Sequence, residues 1–445
     1  MESLKYHPTF RAMGVIDDED RTLLITVRDS MEWLRVAMTS GHQVQTPDDL
    51  KTLLLEHPVL DNASMPGPLV RIHIASVESD GTSGLVFVGS HATNDMSMTK
   101  LWLDDVANLL TGESAPVPHA LFKDYANAFW AHRDGAEADK GINYWATKHA
   151  GISTTPESSF WPPQRSAEWF KGVDSGWTRW DGVKARKGER SISQEEKRRA
   201  QKGVRKMVNV QDLTRLKSEH GVPVFMLVKA AICLMNIAKT GGKEAIFGTI
   251  NAARTWPFAS DYSGLEREQY SGNPLDISGC TTEYVLDRVP VGQSKNVVQF
   301  MQDVTKDEEQ NSSFAHTPFF RVVDRLRDPL SAADTRTFAD RERDAEAILP
   351  LIRRQSFNWL PQPPNAQANP KGLRFLEMLT RMDNGLTITG FLMDDKKSVA
   401  LSFAWDAEHM SYREAEKAIG QLAEFVDVLG KSESWNLSVG EVLRL

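Results

Sequence analysis

The chain has 445 residues; 41% of them are hydrophobic, 25% are charged, and the formal net charge is −8. These values are typical of a globular protein, and the acidic balance argues against a nucleic-acid partner. No run approaches about 18 apolar residues, and the first residues lack the apolar core of a signal peptide, so neither a membrane span nor secretion is expected. The length suits two lobes of roughly 200 residues each.

The two cysteines, Cys233 and Cys280, lie far apart and show neither metal-ligand spacing nor a disulfide pattern. They predict buried thiols in a reducing, cytoplasmic compartment. The sequence pattern also contains no metal-ligand cluster, glycine-rich phosphate loop or nucleotide motif, so no metal and no bound cofactor is predicted. The 12 tryptophans either fill the core or line a hydrophobic tunnel.

Hydrophobic patterns in the first third of the chain predict strands and helices in mixed order. Residues 23–27 are strand-like, and residues 46–56 form a helix. Residues 69–77 and 84–88 pair as a hairpin across the turn SDGTSG. Two amphipathic helices then lead to Gly151, where the second one ends.

Residues 84–110 place a histidine and an aspartate in the turn between a strand and a helix. The apolar run at residues 85–88 predicts a strand that is covered on both faces. Apolar residues then recur at steps of three and four over residues 98–110. This period indicates a helix with one buried face, for which Asp95 or Ser97 is the N-cap.

His91 falls at this strand-to-helix corner. A turn at the end of a core strand keeps its backbone fixed while it presents a side chain to a cleft. Imidazole titrates near neutrality, so a histidine placed there can take a proton from a nucleophile and return it to a leaving group. The alternative interpretation is ordinary loop polarity.

The periodic pattern fails between residues 152 and 203. This stretch is rich in proline, serine and tryptophan and then in lysine and arginine, and we interpret it as the connection between the lobes. Its basic run is either a solvated surface or a site for the phosphates of coenzyme A or of a carrier protein's phosphopantetheine arm.

The rest of the chain again mixes helices and strands, so the fold class is α/β of the α+β kind. Residues 224–238 are apolar nearly all round and predict a core helix ended by Gly241. The other predicted helices cover residues 210–216, 297–310, a segment after Pro318, and 412–429, and the predicted strands cover residues 245–254, 280–289, 355–360, 386–393 and 398–404.

Phrases along nearly the whole chain resemble the condensation domains of nonribosomal peptide synthetases, members of the chloramphenicol acetyltransferase-like superfamily. SHATNDM at residues 90–96 is similar to the family's HHxxxDG motif. The other phrases that carry the resemblance are HPTFRAMGV (7–15), KDYANAFW (123–130), NYWATKHAG (143–151), AIFGTINAAR (245–254), CTTEYVLDRV (280–289), FAHTPFFRVV (314–323), QSFNWL (355–360) and LSFAWD (401–406).

The resemblance implies two lobes in a V around a central tunnel. The N-terminal lobe is expected to be shortened, because the phrase similar to the family's R-H-x-x-L-R-T segment begins at residue 7. The implied division is an N-terminal lobe over residues 1–165, an interlobe connection over 166–205 and a C-terminal lobe over 206–445. We expect a stand-alone, monomeric protein that resembles fungal S-H-x-x-x-D condensation domains or terminal cyclising domains.

The resemblance also implies roles for residues of the corner. The family's second histidine matches His91, the catalytic base. Its aspartate matches Asp95, which pairs in a salt bridge with an arginine of the other lobe, here Arg254. Ser90 stands in place of the first histidine and donates a hydrogen bond to the developing oxyanion, unless backbone amides near Ser97 do so instead.

Met96 replaces the glycine that ends the family's motif, and its larger side chain either narrows the tunnel or changes the turn. Five further residues are candidates for lining the tunnel: His316, Asn358, Trp359, Ser402 and Trp405. Each has a structural alternative, since His316 can stabilise a turn and the two tryptophans can fill the core. A shift of one residue in strand phase would turn Asn358 and Ser402 to the other side of the sheet.

Three functional hypotheses follow. The first is an enzyme of specialised metabolism that transfers an acyl or peptidyl group from a coenzyme A or phosphopantetheine thioester to an amine or hydroxyl, with His91 as base. The second is a cyclase or isomerase acting on a free small molecule, which Met96 and the short N-terminal lobe favour. The third is a non-catalytic partner of a synthetase, against which the retention of His91 with Asp95 counts. The expected partners are a small-molecule substrate and, for the first hypothesis, a carrier protein, but neither nucleic acid nor a membrane.

Overall fold

The structure is a computed structural model that describes residues 2–16, 22–26, 31–50, 67–91, 93–112, 119–163, 199–200, 202–254, 274–360, 372–374, 376, 384–407 and 410–444. Most of the predicted interlobe connection and the second half of the helix predicted at 46–56 lie outside the described residues.

Within these ranges the strands form two three-stranded sheets, one two-stranded pair and one six-stranded sheet. The strands are β1 (Ala12–Ile16), β2 (Thr22–Thr26), β3 (Met38–Val44), β4 (Gly67–Pro68), β5 (Val70–Val77), β6 (Ser83–Gly89), β7 (Ala120–Leu121), β8 (Val204–Asn209), β9 (Glu244–Asn251), β10 (Ile277–Ser278), β11 (Glu283–Pro290), β12 (Gln355–Leu360), β13 (Leu386–Leu392) and β14 (Ser398–Trp405).

The helices pack around and between these sheets. They are α1 (Met31–Ala37), α2 (Met96–Thr111), α3 (Phe122–Arg133), α4 (Ala136–His149), α5 (Leu213–His220), α6 (Val224–Thr240), α7 (Val297–Ser312), α8 (Phe319–Leu326), α9 (Phe338–Arg354), α10 (Tyr412–Leu429) and α11 (Val439–Val442). Side chains cap several of them by accepting a backbone N–H of the first turn: Asp95, Asn296, Thr337, Ser411 and Ser438.

The six-stranded sheet has the order β11-β9-β12-β13-β14-β8. Its central strand β12 is parallel to both β9 and β13, whereas the outer pairs are antiparallel. α6 and α10 cover one face, and α9 packs on the other face beside β9 and β11. The fold is therefore mixed α and β, as the sequence predicts.

The predicted core helix at 224–238 is confirmed as α6. All residues from Met226 to Ile237 are buried, and the helix ends at Gly241, whose φ of 68° is left-handed. In the part of the chain that the structure describes, no single helix is long and apolar enough to cross a membrane. α5 and α6 pass that test only as a pair, across a bend of 100°.

The predicted hairpin and the following helix are also confirmed. β5 and β6 pair antiparallel, and α2 follows with Met98 and Trp102 buried on its inner face. The expectation that the strand at 85–88 is covered on both faces is wrong, because Leu85 is 43% exposed. Exposed Ser83 and Leu85 alternate with buried Gly84 and Val86, so only one face of β6 is covered at this end of the strand.

The structure also contains features that the sequence analysis did not predict, among them α9 and the packing of α4. α9 escaped detection because it is rich in charged residues and contains Pro350, although a capping box between Thr337 and Asp340 marks its start. α4 packs on α8, and Trp145 of α4 shares a hydrophobic cluster with Ile348 of α9. The first 165 residues therefore contribute side chains to a core that also contains residues from the second half of the chain.

Candidate functional site

The site is built at the turn between β6 and α2. Asp95 is the N-cap of α2, and its Oδ1 accepts a 2.8 Å hydrogen bond from the backbone N–H of Met98. The backbone N–H of Ser90 donates a 2.8 Å hydrogen bond to the carbonyl of Leu69, the residue that precedes β5. The turn between these two anchors carries His91, whose side chain is exposed.

Asp95 and Arg254 form a buried ion pair. Nη2 of Arg254 lies 2.7 Å from Oδ1 of Asp95, and the side chains of Arg254 and Asp95 are 2% and 7% exposed, respectively. The other carboxylate oxygen of Asp95 accepts the backbone N–H of Thr281 at 3.2 Å. A buried carboxylate with these partners is satisfied electrostatically and fixes the start of α2.

Arg254 extends this contact to the segment that joins β10 and β11. Its guanidinium donates to the backbone carbonyls of Ile277 and Gly279, both at 2.7 Å. Ala253, which precedes it, has a φ of 46°, in the left-handed region that residues other than glycine rarely adopt. This backbone turn after β9 directs Arg254 towards Asp95, so one side chain joins the His91 turn to two further segments.

Cys280 lies on that joining segment, next to His91. Its Sγ is 3.7 Å from Nδ1 of His91. The prediction of two buried thiols holds for Cys233 but not for Cys280, which is only partly buried. Burial raises the pKa of the Cys280 thiol to about 11, so the thiol is protonated at neutral pH.

A second pair of ionisable residues lies at the start of β11, where Glu283 is the first residue. Oε1 of Glu283 lies 3.5 Å from Nδ1 of His316, a buried residue that the sequence proposed as tunnel lining. Burial raises the pKa of Glu283 above its ordinary value, although His316 opposes the shift. Burial and then the charge of Glu283 also raise the pKa of Tyr125, whose neighbours include Cys280. Sequence reasoning missed Glu283, although it lies within the phrase CTTEYVLDRV.

Two other predicted residues flank His91. The backbone carbonyl of Ser90 accepts hydrogen bonds from Thr93, through its N–H and its hydroxyl, both at 3.1 Å. Met96 is the first residue of α2 and is partly buried. Because Asp95 already accepts the N–H of Met98, that amide is not available to a substrate oxyanion.

The remaining tunnel candidates divide between the faces of the six-stranded sheet. Trp405 is 3% exposed in the main hydrophobic core, and Trp359 packs beside Phe357 against Phe225 of α6. Both tryptophans therefore lie on the core face, which favours the structural alternative, core filling, over tunnel lining. Strand alternation directs them to the side covered by helices.

Asn358 and Ser402 lie on the opposite face. In the register of the sheet, Asn358 is paired with Thr389 and Thr389 with Ser402, so the three form a polar row across β12, β13 and β14. All three are partly buried. Asn358 and Ser402 are therefore the predicted lining residues on this sheet that face away from the main core.

A further cluster was not foreseen from the sequence. Oδ2 of Asp105 lies 2.9 Å from Nε2 of His7 and 2.7 Å from Nε2 of His119, and the other nitrogen of His7 lies 2.8 Å from Oγ of Ser278. The ligand atoms of the three ionisable residues fall within 4.8 Å of one another, a set that could hold a metal ion although none was predicted. The observed separations are those of hydrogen bonds. The cluster joins α2 to β10, so α2 is attached at both Asp95 and Asp105 to the segment that carries Cys280.

No family model matches the chain. Malpinin synthetase of Mortierella alpina is 24% identical over 274 residues, which are 58% of this chain and 3% of the length of that protein. The chain therefore corresponds to a small part of that relative.

Solved structures match over nearly the full length. The starter condensation domain of rhizomide synthetase, in complex with C8-CoA, has a TM-score of 0.65 at 11% identity and covers 99% of this chain and 86% of its own. The epimerization domain from the third module of tyrocidine synthetase B has a TM-score of 0.58 at 14% identity, with 98% and 86% covered. The protein therefore has the condensation-domain fold of nonribosomal peptide synthetases, which is of the chloramphenicol acetyltransferase-like type.

Proposed function

We propose that this protein transfers an acyl or peptidyl group from a thioester to an amine or a hydroxyl, with His91 as the base. The observation that carries the proposal is the position of His91 on a condensation-type fold. It is an exposed imidazole at the end of a strand, in a turn whose flanking residue Asp95 is held by the buried Arg254.

In the proposed reaction the acceptor approaches the imidazole of His91. Because Nδ1 faces Cys280, the other ring nitrogen is directed away from that contact and is the one offered to the acceptor. Taking the proton of the amine or hydroxyl as it attacks the thioester carbonyl would contribute about 10²- to 10⁴-fold to the rate. Positioning both substrates beside the same imidazole contributes further.

The Asp95–Arg254 pair acts indirectly. It touches neither the thioester nor the acceptor in this scheme, and it holds the start of α2 and the segment at Gly279 in fixed relation. Asp95 is therefore a positioning residue, and Ser90 keeps its proposed role as a donor to the oxyanion. The row of Asn358 and Ser402 is the proposed polar wall for the substrate, and His316 and Met96 stay proposed lining residues.

The donor thioester is proposed to be carried by coenzyme A or by the phosphopantetheine arm of a carrier protein. One structural neighbour was solved with C8-CoA, which supports an acyl-CoA as a probe. The basic run that could receive its phosphates lies largely outside the described residues and stays a prediction. The lobe boundaries at residues 165 and 205, the fungal source and the cytoplasmic setting also stay predictions from the sequence.

The test compares wild type with His91→Ala in the presence of octanoyl-CoA or an N-acetylcysteamine thioester and a panel of amines and alcohols. We expect product only with the thioester, and a loss of about 10²- to 10⁴-fold in the variant. His42→Ala, in the sheet of β3, is the matched control and should keep the wild-type rate. Equal rates in wild type and His91→Ala would refute the assignment of the base.

A cyclase or isomerase is the second candidate, and the pair of Glu283 and His316 is the observation that favours it. A carboxylic acid whose pKa is raised by burial can give up a proton on one side of a substrate while His91 accepts one on another. One neighbour of the same fold is an epimerization domain. Product of unchanged mass from a single free substrate, lost in both His91→Ala and Glu283→Gln, would select this candidate over acyl transfer.

A further inference from the structure

We infer that Cys280 is a second reacting group of this site, whose thiol takes the acyl group from the thioester donor and then passes it to the acceptor. The inference rests on the proposed acyl-transfer function and changes its course. Transfer would proceed through an acyl-enzyme rather than by direct attack of the acceptor on the donor.

The first observation is the pairing of a thiol with a base. Sγ of Cys280 lies 3.7 Å from Nδ1 of His91, although 189 residues separate them in the chain. A nucleophile and a base within reach of one another are the pattern of covalent catalysis. A substrate can also reach both side chains, because His91 is exposed and Cys280 is only partly buried.

The second observation is that one ion pair positions both groups. On one side of Cys280, the carbonyl of Gly279 accepts from Arg254, and on the other side the N–H of Thr281 donates to Asp95. Asp95 also caps the helix that follows the His91 turn. Cys280 is thus held at both neighbouring peptide groups by the same pair that fixes the turn of its base, whereas an incidental contact would have no such support.

The electrostatic setting explains why the base is needed. Burial raises the pKa of the Cys280 thiol to about 11, so without assistance almost none of it is thiolate at neutral pH. Attack therefore requires removal of the proton as the bond forms, and Nδ1 of His91 is the nitrogen within reach. Cys233 offers the contrast, since it is fully buried inside α6 and has no imidazole contact among the described residues.

The steps balance without an oxidant or a reductant. His91 takes the thiol proton while Sγ attacks the thioester carbonyl, a new carbon–sulfur bond forms, and the bond to the carrier thiol breaks. The leaving thiolate receives the proton from His91. The acceptor amine or hydroxyl then attacks the acyl-Cys280 carbonyl and gives its proton to His91, and Cys280 leaves and is reprotonated.

The first experiment needs no knowledge of the substrate. Iodoacetamide alkylation of Cys280 and Cys233 is followed by peptide mass spectrometry between pH 6 and 10 in wild type and His91→Asn. We expect Cys280 to react about tenfold or more slowly in the variant at pH 7, while the rate at Cys233 is unchanged. Equal rates at Cys280 in the two proteins would overturn the pairing.

The second experiment looks for the acyl-enzyme. Wild type, Cys280→Ala and Cys280→Ser are mixed with octanoyl-CoA without acceptor, and the intact mass and the modified peptide are determined. We expect an octanoyl adduct on Cys280 in wild type and none in Cys280→Ala, with product formation lost when an acceptor is added. Cys280→Ser, which is nearly isosteric, controls for folding and is expected to acylate far more slowly.

The outcomes separate this inference from the function on which it rests. Transfer by Cys280→Ala at the wild-type rate, without an adduct in wild type, would overturn the acyl-enzyme and leave His91-dependent transfer standing. Absence of transfer from every thioester tested, with alkylation of Cys280 still dependent on His91, would overturn the proposed function and leave the thiol–imidazole pair standing.

Discussion

Two buried ion clusters in the described part of the molecule differ in what lies beside them. Lys229 of α6 pairs with Asp287 at 2.9 Å and with Glu308, and the side chains of Lys229 and Asp287 are 1% and 0% exposed. Thr249 and Asn311 donate further hydrogen bonds to Asp287. Burial alone would lower the pKa of Lys229, but the two carboxylates raise it above its ordinary value. Lys229, Asp287, Thr249 and Asn311 are buried, and Glu308 is partly buried at the edge of this cluster.

The Asp95–Arg254 pair is equally buried but borders the candidate site. Two of its remaining contacts are the backbone groups of Gly279 and Thr281, on either side of Cys280, and the turn it fixes presents the exposed His91. Both ion pairs therefore meet the same physical requirement, that a buried charge must have a partner, but with different consequences. In one place the pair joins packed elements, and in the other it holds the groups that we propose to react.

The largest expected effect comes from Arg254→Ala. It leaves Asp95 buried without its partner, and we expect the free energy of unfolding to fall by about 3–5 kcal/mol. Displacement of the His91 turn should also reduce the transfer rate by about 10²-fold. Urea denaturation and steady-state rates, measured below the melting temperature, check both effects.

Arg254→Lys is the matched control for that variant. It keeps the charge but cannot supply the forked set of donors that reaches Asp95, Ile277 and Gly279. We expect an intermediate loss of stability and of rate. Loss of activity by Arg254→Ala with unchanged melting would contradict a positioning role exerted through structure.

Lys229→Met tests the other member of the comparison, the buried cluster of Lys229, Asp287 and Glu308. It leaves Asp287 and Glu308 buried together, so we expect a loss of about 3–5 kcal/mol in the free energy of unfolding. The rate per folded molecule should stay at the wild-type value, because no group of the cluster touches the site. Lys243→Met, at an exposed position near β9, should change neither quantity. A tenfold drop in rate for folded Lys229→Met would show that the two clusters are coupled.

The smallest expected effect is a loss of stability in acid caused by His149, the last residue of α4. Burial, together with the charges of Lys148 and Arg288, lowers the pKa of His149 to about 3. The His149 ring stacks on Trp145 with 5.7 Å between the ring centroids. Below the ordinary histidine pKa of about 6.5, the unfolded chain binds a proton that the folded chain does not. Stability should therefore fall as the pH drops, by about 2–3 kcal/mol between pH 7 and pH 4.5 from this residue.

His149→Phe provides the control, since it can keep the stacking but cannot titrate. Urea denaturation at pH 7 and pH 4.5 should show a smaller loss of stability in this variant than in wild type. The same loss in both proteins would assign the acid sensitivity to other groups.

The sequence by itself determined the elements with strong periodicity and the order of the motifs. α6 follows from a segment that is apolar nearly all round, α2 from its three- and four-residue spacing, and the β13–β14 hairpin from two apolar segments around a short turn. These are local properties, because side-chain spacing along the chain sets which face can be buried. The position of His91 after a strand is local in the same sense.

Only the tertiary structure decided which distant residues meet. The contact of Cys280 with His91, the attachment of Glu283 to His316 and the cluster of His7, Asp105 and His119 join residues 33 to 189 positions apart in at least one pair each. It also decided strand phase, since Trp359 and Trp405 turned out to face the core and Asn358 and Ser402 the opposite side. A pattern of period two fixes that residues alternate, but which set is buried depends on the layers packed against the sheet.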